Sequence, residues 1–141
     1  MNRDEGLFAA VRANMPGEER VVLQQIDGTG LTFDDLVARS AQFAGALASS
    51  GIKPGYRVAV QVEKSVEALV LYLACLRCGA VYVPLNPAYT WHELAYFISD
   101  AEPALLVATP EKERGVADLA PDVKTLTLTG DGRAGSLPAQ V

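Results

Sequence analysis

Residues 57–85 read RVAVQVEKSVEALVLYLACLRCGAVYVPL, and this stretch decides the fold. Its first six residues, RVAVQV, and its last six, AVYVPL, are both β-prone runs. Between them the pattern predicts a helix from Ser65 to Cys78, which Gly79 ends because glycine readily adopts the left-handed conformation that terminates helices. Pro84 has no backbone N–H to donate to a neighbouring strand, so the second strand is not predicted to be a central strand paired at that residue. This order predicts a right-handed βαβ unit with parallel strands.

On the N-terminal side, residues 21–33 predict a short hairpin. Gly28 and Gly30 lie in the turn between its two β-prone runs, and this role in the turn accounts for both glycines. Thr32 then caps a long amphipathic helix, with the Asp35 carboxylate reaching back toward the free backbone N–H groups at the helix start.

On the C-terminal side, the alternation of helices and strands continues. Thr90 and Glu93 predict a capping box that opens another helix. Strands are predicted at residues 104–108 and 123–129, separated by a weak helix that begins near Pro110. The predicted fold class is therefore α/β, with a mainly parallel sheet built from βαβ units.

The chain is predicted to divide near residue 130. Residues 1–129 form the α/β segment, whereas residues 130–141 show no periodicity and are interpreted as a linker or a truncated loop. Within the α/β segment, residues 68–76 are apolar on every helical face, which predicts burial on more than one side. One layer of βαβ units covers such a helix only in part, so we expect an exposed apolar patch and self-association through it.

Composition and charge exclude several classes of partner. Half of the 141 residues are hydrophobic, and twelve Lys and Arg against 17 Asp and Glu give a net charge of −5. With no basic run, a nucleic acid is not expected as a partner. The most apolar stretch, residues 66–83, is interrupted by two charged residues and a glycine, so no membrane span is expected. The N-terminal residues lack the apolar core of a signal peptide, and we expect a cytoplasmic protein with reduced cysteines.

The histidine and the two cysteines are weak candidates for catalysis. His92 is the only histidine in the sequence, and we interpret it as an exposed residue in the first turn of a helix. Cys75 and Cys78 form a C-x-x-C motif at the C-terminal end of a helix, where the helix dipole disfavours a thiolate. Zinc would need four ligands and the sequence has no second pair of cysteines, so both thiols are interpreted as small buried hydrophobes.

Two further features could bind a ligand. Gly130, Gly132 and Gly135 have the spacing of a dinucleotide-binding fingerprint after a predicted strand, but the residues that follow do not predict the required helix. We interpret them as a loop, while they still support a second hypothesis of a small nucleotide-binding protein. Glu63 and Lys64 lie between a strand and a helix, at the sheet edge where α/β proteins bind ligands, but we interpret them as part of a solvated loop.

Three segments together resemble the adenylate-forming (acyl-activating) superfamily. LTFDDL at residues 31–36 resembles its early L-[ST]-[YF]-x-x-L segment. GIKPGYRVA at residues 51–59 resembles G-[IV]-x-x-G-D-R-V-A, except that Tyr56 replaces the usual aspartate. LRCGAVYVPLNP at residues 76–87 resembles L-[KR]-x-G-[AG]-x-[YF]-[VL]-P-[IL]-[ND]-P. Residues 63–97 are most similar to malonyl-CoA synthetases.

The resemblance implies a parent ligase several-fold longer than this chain. Such a parent activates a carboxylate with ATP and Mg²⁺ and then passes the acyl group to CoA. Its phosphate loop, nucleotide-binding segments and C-terminal lysine would all follow residue 141. The resemblance therefore implies that this chain is the N-terminal part of the large-domain fold and a scaffold, with no catalytic, cofactor-binding or metal-binding residue of its own. The remainder of the parent is then a second expected partner, and ATP, Mg²⁺ and CoA are expected only for the parent.

Malonate carries a second carboxylate, which a buried site must pair with a cation. Arg39 is predicted among exposed helix positions, Arg57 opens a strand and Arg77 lies at a helix end, so none is a convincing partner. We expect the specificity arginine after residue 141. Besides the ligase fragment and the nucleotide-binding protein, a third hypothesis is an interaction module that keeps a ligase fold without activity.

Overall fold

The βαβ unit predicted from residues 57–85 is confirmed. A computed structural model describes residues 6–17, 19–131 and 134–141. In it β3 (Arg57–Gln61), α3 (Val66–Cys78) and β4 (Val81–Pro84) follow one another, and β3 pairs in parallel with β4. Ser65 caps α3 by accepting a hydrogen bond from the backbone N–H of Ala68, and Gly79 ends it at φ 68°.

The central sheet is parallel throughout the described residues. Its strand order is β4-β3-β5-β6, with β5 at Leu105–Ala108 and β6 at Lys124–Thr127. β3 leads outward to β4 on one side, the chain then crosses back to β5, and β5 leads outward to β6 on the other side. The boundary between β3 and β5 is therefore the point at which the direction of strand addition reverses. This architecture confirms the predicted α/β fold class.

Helices cover both faces of the sheet. Val58 and Val60 of β3 pack with α2 (Phe33–Ser49) and α3 in one core. Ala59, which points to the opposite face, packs with α4 (Trp91–Ala101) and α5 (Glu113–Leu119) in a second core. Because strand residues alternate between two apolar cores, a run such as VAV is hydrophobic at every position.

The helix that the sequence predicted to be buried on more than one side is α3. It packs against the sheet, α2 and α1 (Leu7–Ala13), and its buried residues include Val70, Leu71 and Cys75. Leu69 and Tyr72 stay 36% and 39% exposed, so one strip of the helix faces solvent. No helix within residues 6–17, 19–131 and 134–141 is long and apolar enough to cross a membrane.

The N-terminal hairpin stands apart from the main sheet. β1 (Val21–Gln24) and β2 (Gly30–Thr32) pair antiparallel, as predicted. Thr32 and Asp35 form the expected capping box at the start of α2, with hydrogen bonds of 3.0 and 3.1 Å. The helix α1 was not predicted, and it contacts α3 through the ring of Phe8, over which the Arg77 guanidinium lies at 4.4 Å.

The two edges of the sheet are protected differently. Pro84 lies on β4, an edge strand, where its missing donor leaves no ladder bond unmade. The outer edge of β6 is instead covered at its C-terminal end by the chain itself, because Leu137 donates its backbone N–H to the carbonyl of Thr127 at 3.0 Å. Leu137 is 0% exposed, so the aperiodic tail places this residue in the core. The division of the chain near residue 130 stays a prediction.

The capping box of α4 gives a first test of the fold. The backbone N–H of Glu93 donates to the Thr90 hydroxyl at 3.2 Å, and that of Thr90 donates to the Glu93 carboxylate at 2.8 Å. The Thr90 backbone N–H and the Thr90 hydroxyl both donate to the Glu93 carboxylate, and these two bonds hold the pKa of Glu93 below its ordinary value. We expect Thr90→Ala to lower the free energy of unfolding by about 0.5–2 kcal/mol in urea titrations. A double-mutant cycle should show coupling to Glu93→Ala, whereas strictly additive effects would mean that the box does not form in solution.

Candidate functional site at the carboxyl edge of the sheet

Buried polar residues concentrate at one edge of the sheet. Among the described residues, five polar or charged residues are buried, and three of them, Gln61, Thr109 and Thr127, stand at or just beyond the ends of β3, β5 and β6. We call this the carboxyl edge. Ligands of open α/β sheets bind outside the carboxyl ends of the strands where the strand order reverses, which is here between β3 and β5.

Gln61 fixes the loop that follows β4. Its side-chain amide nitrogen donates to the Asn86 carbonyl at 3.0 Å, and the whole residue is 2% exposed. From the other side, the Lys112 ammonium donates to the Pro87 carbonyl at 2.6 Å. The loop of residues 85–89 is therefore held by two side chains, that of Gln61 at the end of β3 and that of Lys112 after β5. The Gln61 Oε1 atom is buried and has no hydrogen-bond partner among the described residues.

Thr109 is the second unusual residue at this edge. It precedes a 3-10 turn (Pro110–Lys112) at the start of the predicted weak helix, but its hydroxyl makes no capping bond to that turn. The residue is 5% exposed, and its Oγ1 atom has no partner within the described part of the chain. A buried hydroxyl without a hydrogen bond destabilises a fold by roughly 1–3 kcal/mol, so its presence needs an explanation.

A shallow groove lies beside the end of β4. Its volume is about 670 Å³, and Glu63, Lys64, Asn86 and Tyr89 are among its lining residues. Tyr82 also lines it, and burial raises the pKa of this phenol to about 12. Glu63 and Lys64 are both exposed there, as the solvated-loop interpretation expected. The groove combines apolar walls with one carboxylate and one ammonium group, an arrangement that suits ligand binding more than catalysis.

His92 and Cys75 lie where the sequence predicted, whereas Cys78, predicted to be buried, is only partly buried. His92 is exposed in the first turn of α4, next to the capping residue Glu93. Cys75 is fully buried, and this burial raises the pKa of its thiol to about 12. Burial also raises the pKa of Cys78, whose thiol lies 3.5 Å from the Ala44 carbonyl oxygen. Across the described residues, no group of three or more His, Cys, Asp or Glu is arranged to hold a metal ion.

The glycine-rich segment does not form a nucleotide-binding turn in the part that the structure describes. Gly132 lies outside the described residues. Gly135 has φ 125°, and an added Cβ would lie 2.3 Å from the Thr127 carbonyl oxygen, so this glycine allows the tail to approach β6 closely. The 3-10 turn Pro138–Gln140 follows instead of the α-helix that a pyrophosphate site requires. The nucleotide-binding alternative has no support here.

The three arginines considered as carboxylate partners are all engaged elsewhere. Arg39 was predicted among exposed helix positions, and this was wrong: its side chain is 35% exposed and forms an ion pair with Glu67 of α3. Arg57 donates to the Ala101 carbonyl at 3.0 Å. Arg77 lies over the Phe8 ring.

Comparisons with known proteins fit this geometry. The sequence matches the family model of AMP-binding enzymes over residues 9–138. It is 33% identical to bacitracin synthase 3 of Bacillus licheniformis over 131 residues, which are 93% of this chain and 2% of that protein. It is 35% identical to feruloyl-CoA synthase of Amycolatopsis sp over 119 residues, 84% of this chain and 24% of the synthase.

Solved structures give a closer likeness. ATP-bound MatB from Rhodopseudomonas palustris matches with a TM-score of 0.91 and 45% identity, covering 99% of this chain and 28% of that one. An acyl-CoA synthetase from Brucella canis matches with a TM-score of 0.77 and 28% identity, covering 95% of this chain and 26% of the synthetase. The chain thus spans less than a third of each of these relatives.

Proposed function

Because the chain belongs to the AMP-binding enzyme family, we propose that it is the N-terminal portion of an ATP-dependent acyl-CoA ligase. The parent would form an acyl-adenylate from a carboxylate and ATP and then a CoA thioester. The observation that supports this most strongly is the likeness to ATP-bound MatB over 99% of this chain at 45% identity. Because the chain spans only 28% of MatB, the activity is proposed for the parent.

Within that parent, the segment acts as scaffold. ATP phosphates need clustered cations or N–H donors, whereas the groove at the carboxyl edge is lined by one exposed cation, Lys64, beside the exposed carboxylate of Glu63. The Lys112 ammonium is already bound to the Pro87 carbonyl. The described residues therefore do not fit ATP, and we assign ATP, Mg²⁺ and CoA to later segments of the parent.

Malonate is the acyl substrate that we propose. Residues 63–97 resemble malonyl-CoA synthetases, and MatB, the structural relative at 45% identity, is one of them. Arg39, Arg57 and Arg77 are engaged with Glu67, the Ala101 carbonyl and the Phe8 ring. We therefore place the arginine that pairs with the second carboxylate of malonate in a later segment.

A substrate panel on the longer parent tests the assignment. We expect kcat/KM for malonate to exceed that for acetate by several kcal/mol in transition-state terms, because a site with a buried cation rejects substrates that leave it unpaired. Methylmalonate and octanoate complete the panel. A preference for octanoate would contradict the malonyl assignment and leave the acyl-CoA ligase proposal standing. Failure to activate any carboxylate would contradict both.

We also propose that the segment docks to another protein surface through its exposed apolar strip. Leu69 and Tyr72 of α3, which form this strip, are 36% and 39% exposed. The 141-residue chain alone should therefore self-associate with rising concentration in sedimentation experiments. Leu69→Lys should reduce this association, whereas Leu7→Lys, at a 61% exposed position of α1, should leave it unchanged. A concentration-independent monomer that binds no hydrophobic dye would count against the proposal.

A further inference from the structure

The outer face of α4 carries a stripe of aromatic and acidic side chains. Tyr96 and Phe97 are 64% and 36% exposed, and their rings meet edge to face with centroids 5.4 Å apart. Glu93 lies one helical turn before the two rings and Asp100 lies one turn after them, and both carboxylates are exposed. We call these four residues the aromatic–acidic face.

The described part of the chain does not pair the carboxylates of this face with a cation. Thr90 donates twice to the Oε2 atom of Glu93, and no described group donates to Oε1. The sequence of α4 contains no lysine or arginine. Arg57 reaches the end of the helix, but it donates to the Ala101 carbonyl, and no described residue forms an ion pair with Asp100. Two negative charges therefore flank an exposed pair of rings.

The chemistry of the aromatic–acidic face fits a guanidinium group. Each carboxylate is separated from the rings by about 4.5–6 Å of helix rise, so a cation above the rings is attracted by both. Arginine stacks on aromatic rings and donates to carboxylates with a planar fork, which lysine lacks. The chain already uses such a contact between two elements, because the Arg77 guanidinium of α3 lies 4.4 Å from the centroid of the Phe8 ring of α1.

The surroundings of the face favour an occupant from the parent ligase. Phe97 stacks on Tyr89 with centroids 4.8 Å apart, and Tyr89 lines the groove at the carboxyl edge, so the face continues into that groove. The chain spans 28% of MatB, and a parent of similar length would have more than 300 further residues, roughly, from which to cover the face.

We propose that a later segment of the parent docks on the aromatic–acidic face and places an arginine over Tyr96 and Phe97, between the carboxylates of Glu93 and Asp100. This inference rests on the proposed function, because it requires a parent longer than 141 residues. It assigns α4 a part in holding the remainder of the ligase against this segment.

Matched charge variants test this docking. Glu93→Gln combined with Asp100→Asn removes both charges, and glutamine retains the capping box of α4. The control combines Glu19→Gln with Asp34→Asn, which makes the same change in net charge at exposed residues outside α4. One readout is the nitration of Tyr96 by tetranitromethane in the 141-residue chain and in the parent without substrate. The other is the modification of individual arginines of the parent by phenylglyoxal, and both are mapped by mass spectrometry.

We expect the nitration of Tyr96 to be several-fold slower in the parent than in the 141-residue chain. Both reagents act slowly, so their rates follow the fraction of molecules in which the face is uncovered. The double variant should reduce the protection of Tyr96, taken as the ratio of the rates in chain and parent, about two- to fivefold, the usual order for an exposed cation–π contact or ion pair. One arginine after residue 141 should react faster with phenylglyoxal by a similar factor, and the control variant should change neither rate.

Three results would overturn the inference: equal nitration of Tyr96 in chain and parent, protection that the double variant does not reduce, or an equal reduction by the control variant. Protection that is reduced without a change at any arginine would also overturn it. A parent that protects Tyr96 as expected but activates no carboxylate would instead overturn the proposed function and leave the docking intact.

Discussion

The purified 141-residue chain is expected to give no carboxylate-dependent exchange of labelled pyrophosphate into ATP. Positioning of reactants contributes roughly 7–11 kcal/mol to reactions of this kind, and preorganised charge stabilisation adds to it. The described residues of the chain offer the phosphates neither a cluster of cations nor a glycine-rich turn followed by an α-helix. We therefore expect pyrophosphate exchange by the parent and none above background by the 141-residue chain.

The exchange assay has a direct control in the longer parent, tested with malonate and with acetate at the same protein concentration. Exchange by the parent alone would agree with the scaffold role of this segment. Carboxylate-dependent exchange by the 141-residue chain above a no-enzyme blank would refute it and would require a nucleotide site within these residues.

Leu137→Ala is expected to lower the free energy of unfolding by about 2–5 kcal/mol, the usual range for removing a buried leucine side chain. Leu137 is 0% exposed and packs in the core that α2 and α3 share with the sheet. Its backbone N–H also donates to the Thr127 carbonyl, so Leu137 is held both by this hydrogen bond and by the packing of its side chain. Urea unfolding followed by far-ultraviolet circular dichroism measures the change.

Leu7→Ala is the matched control for this substitution. Leu7 is 61% exposed on α1, and alanine favours a helix, so this change should alter stability by less than about 0.5 kcal/mol. If the two substitutions had equal, small effects, residues 134–137 would be a solvated linker in solution, as the aperiodic sequence suggested.

The fold was largely predictable because its signals are local. Ser65, Gly79 and the Thr90 and Glu93 pair mark helix ends through bonds made within four residues, and all four were assigned correctly. The strands were found because burial on both faces makes them continuously apolar. The helix α1 and the burial of Leu137 were missed because both depend on contacts with residues distant in sequence, which the local spacing of apolar residues does not indicate.

The candidate site was less predictable than the fold. Glu63 and Lys64 were noticed because they are charged, yet the residues that distinguish the carboxyl edge are the neutral Gln61 and Thr109. A polar residue at the end of an apolar strand is a usable signal, but most such residues face solvent. Here the loop of residues 85–89 lies over the end of β3 and accepts a hydrogen bond from the amide nitrogen of Gln61. The Oε1 atom of the same side chain is buried without a partner among the described residues.

The tail that covers β6 has a consequence for synthesis on the ribosome. The sheet grows outward at β6, and Leu137 follows the last residue of that strand, Thr127, by ten positions. At about 5–20 residues per second, translation delivers this cover within roughly 0.5–2 s of the strand. The opposite edge has its own protection from the moment it emerges, because Pro84 presents no donor to a neighbouring nascent chain. The time for which the end of β6 stays uncovered during synthesis is thus set by the translation of the ten residues from 128 to 137.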